Sequence, residues 1–190
     1  LICPADLRTL SPSTFGGDYE AYLEAHDVLG HGFGYREIVK PRWRDWRGRF
    51  RYPPRELWPW MVRAMRAANE LRRRWVAMGG TGLRVAAAYR PKGGAKRSAH
   101  KRNGALDLDL LADDQTPENK EAWYELLVSF WLEQGPVRDL GLGLYCSPIR
   151  IGGIRGHVDA CGYRTWQHWN GKPVLPPLAR RLAEKLERRR

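Results

Sequence analysis

Six residues, Ala105-Leu-Asp-Leu-Asp-Leu110, restrict the fold more than any other stretch of the chain. Side chains of a strand alternate between two faces. Leu106, Leu108 and Leu110 therefore point one way, and Ala105, Asp107 and Asp109 the other. The leucine face demands an apolar layer. The aspartate face either meets solvent or holds something charged, because an unpaired carboxylate is costly to bury.

Helices on both sides of this strand can supply the layer. Pro53-Pro54 precedes a helical pattern that runs to about Met78, with Met61, Met65, Ala68, Leu71 and Trp75 on one stripe and Arg63, Arg66, Arg72, Arg73 and Arg74 mostly off it. Pro59 falls in its first turns, and Gly79-Gly80 ends it. Thr116-Pro117-Glu118 starts a second helix, with Thr as N-cap and Pro at the first position, expected to stop at Gly135. Strands are expected over Leu83–Tyr89, Gly141–Tyr145, Arg150–Gly152 and Gly156–Ala160, and a terminal helix over Pro176–Arg190. A short helix near Asp18–Leu29 lies in an otherwise irregular arm. The pattern predicts an α+β fold, a small antiparallel sheet packed with helices. The expected organisation is an N-terminal arm over 1–34, a central domain over 35–170 and a basic C-terminal helix over 171–190.

With 43% hydrophobic residues and nine Trp among 190 residues, the chain has enough apolar material for one sizeable core, which excludes wholesale disorder. No run of 18 or more apolar residues occurs, so a membrane-spanning helix is not expected. The net charge of +12 implies an anionic partner: nucleic acid, a membrane surface or an envelope polymer. Cys3, Cys146 and Cys161 are too few for a disulfide framework, with one pairing, Cys146 to Cys161, left open. No signal peptide is visible over Ala5–Leu29. Oligomeric state is not encoded in any pattern of the chain.

Two of the five histidines stand near acids in strand or loop settings. His100 is followed seven residues later by Asp107, and His157 opens His157-Val158-Asp159. A catalytic zinc takes three protein ligands of His or carboxylate type and keeps a fourth position open. His100, Asp107 and His157 would supply that set if their strands are neighbours. Taken alone the spacing is a weak signal, met equally by a loop His and a strand Asp that pairs with an arginine. Asp159 shares a strand face with His157, and would either take a proton from water or orient a ligand His. Asp109 shares a face with Asp107, and pairing with a basic neighbour is its simplest role.

The surrounding residues add specificity. Ala88-Tyr89-Arg90-Pro91, Gly93-Gly94-Ala95-Lys96, Ser98-Ala99-His100 and Gly104-Ala105-Leu106-Asp107-Leu108 resemble the zinc-dependent peptidoglycan peptidases. That family comprises D-alanyl-D-alanine carboxypeptidases and L-alanyl-D-glutamate endopeptidases, and shares its metal core with the Hedgehog proteins. Gly156-His157-Val158-Asp159, then Gly162-Tyr163-Arg164 and Trp166, resemble the closing motif of one branch. The likeness covers roughly residues 35–170.

The resemblance implies a Hedgehog-like α+β fold, zinc as cofactor and His100, Asp107 and His157 as its ligands. It implies that Arg90 stabilises the developing oxyanion or holds a substrate carboxylate, that Tyr89 contacts substrate, and that Ser98 bonds either substrate or the loop backbone. Two departures stand out. The family places Gly three residues after the first His, where this chain has Asn103. Many members also carry a general base two or three residues before the last ligand, where this chain has Arg155 and Ile154. The expected function is zinc-dependent hydrolysis of peptide bonds in peptidoglycan stems or cross-links, by an endopeptidase or carboxypeptidase acting at the bacterial cell wall, secreted or phage-borne as an endolysin. Stem peptides and anionic wall polymers are the expected partners. One alternative is an inactive wall-binding or virion module on the same fold. Another is a nucleic-acid binder using the Arg- and Trp-rich run Arg42–Arg51.

Overall fold

A computed structural model describes residues 18–39, 52–91, 96–146, 154–162, 164–169, 184 and 188. The elements are α1 (Tyr19–Ala25), α2 (Tyr35–Val39), α3 (Trp58–Ala77), β1 (Leu83–Ala87), β2 (Ala105–Leu110), α4 (Pro117–Arg138), β3 (Gly141–Cys146), β4 (Ile154–Asp159) and β5 (Arg164–Trp169). The strand expected over Arg150–Gly152, the run Arg42–Arg51 and nearly all of the C-terminal helix fall outside the described residues.

The five strands form one sheet in the order β1-β2-β4-β3-β5. The first four are mutually antiparallel, as expected, but β5 runs parallel to β3, pairing Gly141 with Arg164 through Cys146 with Trp169. The sheet is therefore mixed. The leucines of β2 face the helices together with Leu142, Leu144 and Val158, all at most 2% exposed. A Cβ on Gly156 would meet Leu127 at 2.8 Å and Trp123 at 3.2 Å, so α4 packs directly on β4 there. The expected stripe of α3 is buried throughout, and Trp75 meets Trp123 edge-on with ring centroids 5.8 Å apart, joining α3 to α4. Across the same joint Arg74 bonds Glu133 at 2.7 and 2.9 Å, and within α3 it bonds Glu70 at 2.8 Å.

Two boundaries differ from expectation. The described part of the N-terminal segment is not an irregular arm. Asp18 caps α1 by accepting from Ala21 N at 3.0 Å, and Tyr19, Tyr22, Leu23, Val28 and Phe33 belong to the same core as α3. The physical reason is aromatic packing: Tyr19 and Tyr22 lie 5.0 and 5.3 Å from the Trp58 ring. Helix α4 also continues past Gly135 and Pro136 to Arg138. Pro136 removes one hydrogen bond and crowds the carbonyl four residues earlier, yet the helix ends only at Asp139, which is in a left-handed conformation (φ 55°).

Asp114 closes the turn after α3. Its carboxylate accepts from Trp75 Nε1 at 2.8 Å and from Thr81 N at 2.9 and 3.1 Å. Burial raises its pKa, but these bonds outweigh burial and hold it below the ordinary value. A lowered folded-state pKa means that the ionised group stabilises above the unfolded carboxylate range, and that this is lost as pH falls through it. Asp114→Ala is expected to cost about 3 kcal/mol in denaturant unfolding, since buried donors lose a charged acceptor. The variant should also show a shallower loss of stability at acid pH.

Candidate metal centre

The antiparallel register of β2 and β4 sets Asp107 directly opposite His157. Both side chains leave the face turned away from the helices. His100 reaches them from a 3-10 turn at Ala99–Arg102 that enters β2. The turn closes through Asn103 in a left-handed conformation (φ 57°, ψ 23°), so Asn serves where the resembled family places Gly. Asn103 also donates from Nδ2 to Tyr19 Oη at 2.9 Å and to the Leu57 carbonyl at 3.1 Å, tying the turn to α1 and to the start of α3.

His100 Nε2 lies 3.2 Å from Asp107 Oδ1 and 3.2 Å from His157 Nδ1, and His157 Nδ1 lies 2.8 Å from Asp107 Oδ1. All three residues are at most 8% exposed. Asp159 is fully buried beside them, with Oδ2 3.3 Å from His157 Nε2 and Oδ1 accepting from Cys161 N at 2.8 Å.

The outer contacts decide what the inner atoms can be. His100 Nδ1 is 2.6 Å from the Ala88 carbonyl. A carbonyl only accepts, so Nδ1 carries the hydrogen and neutral His100 presents a lone pair at Nε2. Asp159 Oδ2 lies 3.3 Å from His157 Nε2, and a neutral His157 with its hydrogen on that nitrogen presents a lone pair at Nδ1. In that tautomer three lone-pair atoms, His100 Nε2, His157 Nδ1 and Asp107 Oδ1, are turned toward one another. Such an arrangement repels itself unless a cation lies between them. Protons can take that place in part. Burial lowers the His157 pKa, but its bonds to Asp107 and Asp159 outweigh this and the net shift is upward. Burial raises that of Asp107, but the two imidazoles outweigh it and hold the carboxyl far below its usual range.

A metal ion is the other candidate for that place. A tetrahedral centre with ligand bonds of about 2.0–2.1 Å has edges of about 3.3–3.4 Å, close to the 2.8–3.2 Å found here. The His100–Asp107–His157 group is thus a buried set able to hold a metal ion. The Ala88 carbonyl bonds His100, and Asp159 lies beside His157, in the outer positions from which such groups orient imidazoles in metal sites. Asp159 stands behind His157, on the side away from His100 and Asp107. Gly141 accommodates it, since a Cβ there would come within 2.5 Å of Asp159 Oδ2. Asp159→Asn is expected to weaken metal affinity about 10–100-fold without unfolding the protein, measured by competition with a chromogenic chelator.

The remaining expected site residues flank His100. A bulge between Val85 and Ala87 shifts the β1 register, and beyond it the chain runs past the 3-10 turn, where Arg90 N donates to the His100 carbonyl at 3.1 Å. Arg90 Nε is buried and has no hydrogen-bond partner among the described residues. Tyr89 and Ser98 are both half-buried, and the Ser98 hydroxyl makes no cap bond although it precedes the turn. The loop glycines Gly93-Gly94 lie outside the described residues.

Arg155, which stands where a general base would be expected, is locked on Asp109 through Nε at 2.6 Å and Nη2 at 2.9 Å. Asp109 therefore pairs with basic neighbours, as expected. The other histidines lie elsewhere. His26 Nδ1 donates to Tyr22 O at 2.8 Å, His31 bonds Asp27 at 3.2 Å, and His168 is in β5. Cys161 is a thiol, so the pairing with Cys146 is not formed. Sequence reasoning missed the Ala88 carbonyl, because a backbone acceptor has no residue signature.

Comparison with protein-family models, with curated proteins and with solved structures found no match to this chain. The likeness to the peptidoglycan peptidases is thus one of motif. No helix among the described residues is long and apolar enough to cross a membrane.

Proposed function

We propose that the protein is a zinc metallopeptidase that hydrolyses peptide bonds in bacterial peptidoglycan, acting at the cell wall as a secreted or phage-borne lytic enzyme. One observation carries the reading: His100 Nε2, His157 Nδ1 and an oxygen of Asp107 converge at 2.8–3.2 Å in a buried site. Two His and one carboxylate, with oriented imidazoles, form a set suited to catalytic zinc. When bound, zinc supplies a Lewis acid and lowers the pKa of water toward ~7. The chain's own residues do the rest. Asp159 and the Ala88 carbonyl hold the imidazoles in one tautomer. Arg90, with its desolvated Nε and its backbone pinned to His100, donates to the oxygen on which charge develops. Tyr89 and Ser98 border the turn and contact the substrate. The +12 charge draws the enzyme to anionic wall polymer, less so at high salt.

The test is incubation of purified cell walls with metal-replete and chelated protein, followed by mass spectrometry of the released muropeptides. New amino termini that appear only with metal-replete protein support the reading, and none in either sample would sink it. The capture of Arg155 by Asp109 favours a second reading, a wall-binding module without catalysis. Stoichiometric zinc, saturable murein binding and no cleavage would identify that case. A steep, salt-sensitive shift of DNA in a gel with no murein binding would point instead to nucleic acid.

A further inference from the structure

The polar face of the sheet carries a second charged cluster beside the metal group. Asp109, 3% exposed, accepts from two arginines: Arg155 at 2.6 and 2.9 Å, and Arg84 Nη2 at 3.3 Å. The register places Arg84, Asp109 and Arg155 in one row across β1, β2 and β4. The next row on the same face is Ala87, Asp107 and His157. Successive rows on one face are two residues apart, about 6.8 Å.

Burying Asp109 requires one partner, and the bidentate Arg155 already meets that need. Arg84 is a second cation on the same carboxylate, with its side chain 59% exposed, and an exposed pair of this kind adds little stability. One carboxylate between two guanidiniums also leaves one positive charge over. Each guanidinium has five N–H donors, and among the described residues Asp109 occupies three donor contacts on the pair. The rest are unused, on planes that Asp109 helps to fix. Forked donors of this kind match a carboxylate in geometry as well as in charge.

We propose that Arg84 and Arg155 form a carboxylate subsite that selects substrates with an acidic group about two residues from the scissile bond. The position of the bond rests on the peptidase reading, whereas carboxylate binding does not. An extended peptide advances about 3.3 Å per residue, so a carbonyl at the metal group sets an acidic group two residues away over the arginine row. This also gives Arg155 a use at a position where the resembled family keeps a proton acceptor.

The experiment uses fluorescent tetrapeptide amides with one Glu at successive positions, and their Gln counterparts. Binding is followed by anisotropy at low salt, on zinc-loaded and on chelator-treated protein. At one position Glu is expected to bind about tenfold tighter than Gln. Arg84→Gln keeps the Arg155–Asp109 pair, and should bring that ratio below about twofold with metal content unchanged. Equal binding of Glu and Gln at every position would overturn the proposal. So would a preference that survives Arg84→Gln. Failure of the peptidase reading would look different, as Glu preference intact in protein that releases nothing from cell walls.

Discussion

His157→Ala is expected to abolish metal uptake and turnover together. The imidazole supplies one of the three converging atoms, and its other nitrogen faces Asp159. Losing an outer hydrogen-bond partner typically costs 10–100-fold in metal affinity, so loss of a ligand should exceed about 100-fold. The substitution also leaves Asp107 with one imidazole and places Asp159 against a cavity, and so demands a fold control by circular dichroism. Elemental analysis after gel filtration reads metal content, and muropeptide release reads turnover. A folded variant that still carries stoichiometric metal would remove His157 from the ligand set. A variant that loses metal yet keeps full turnover would remove the metal from the reaction.

Arg90→Met should leave metal content intact and lower kcat by about 10²–10³, the usual loss when a single oxyanion donor is removed. The side chain keeps similar length and apolar bulk, while the buried N–H goes. Nothing among the described residues bonds Arg90 Nε, so the substitution breaks no internal hydrogen bond of that atom. A rise in KM with kcat unchanged would instead assign Arg90 to a substrate carboxylate, because losing a uniform binding contact lowers affinity without changing the chemical step.

The parts of the molecule that local sequence makes legible are those with short-range physical causes. The alternation in β2, the stripe of α3 and the Thr116 cap follow from periodicity and from one side chain bonding the next turn. The left-handed conformation of Asn103 is in keeping with its residue type, because few residues other than Gly accept that backbone. His100, Asp107 and His157 could be named as a set, but only the pairing of β2 with β4 brings them together. Other features were illegible for the same reason. The packing of α1 on Trp58, the parallel placement of β5 and the sharing of Asp109 by Arg84 and Arg155 all depend on residues distant in sequence. Nothing in Arg155 itself says that a carboxylate 46 positions earlier will hold it.

The cross-strand position of Asp107 and His157 determines how a metal ion would be received. Their two strands are interior to the sheet, flanked by β1 and β3 and backed by the apolar layer. Small zinc modules have little else to hold them and unfold when stripped. Here the hydrophobic layer has already restricted the ligand side chains before any ion arrives. Metal binding becomes the loading of a preorganised socket, with little ordering entropy left to oppose it. Stripping the ion should therefore cost activity long before it costs the fold, and the apoprotein should be a stable species that can be recharged.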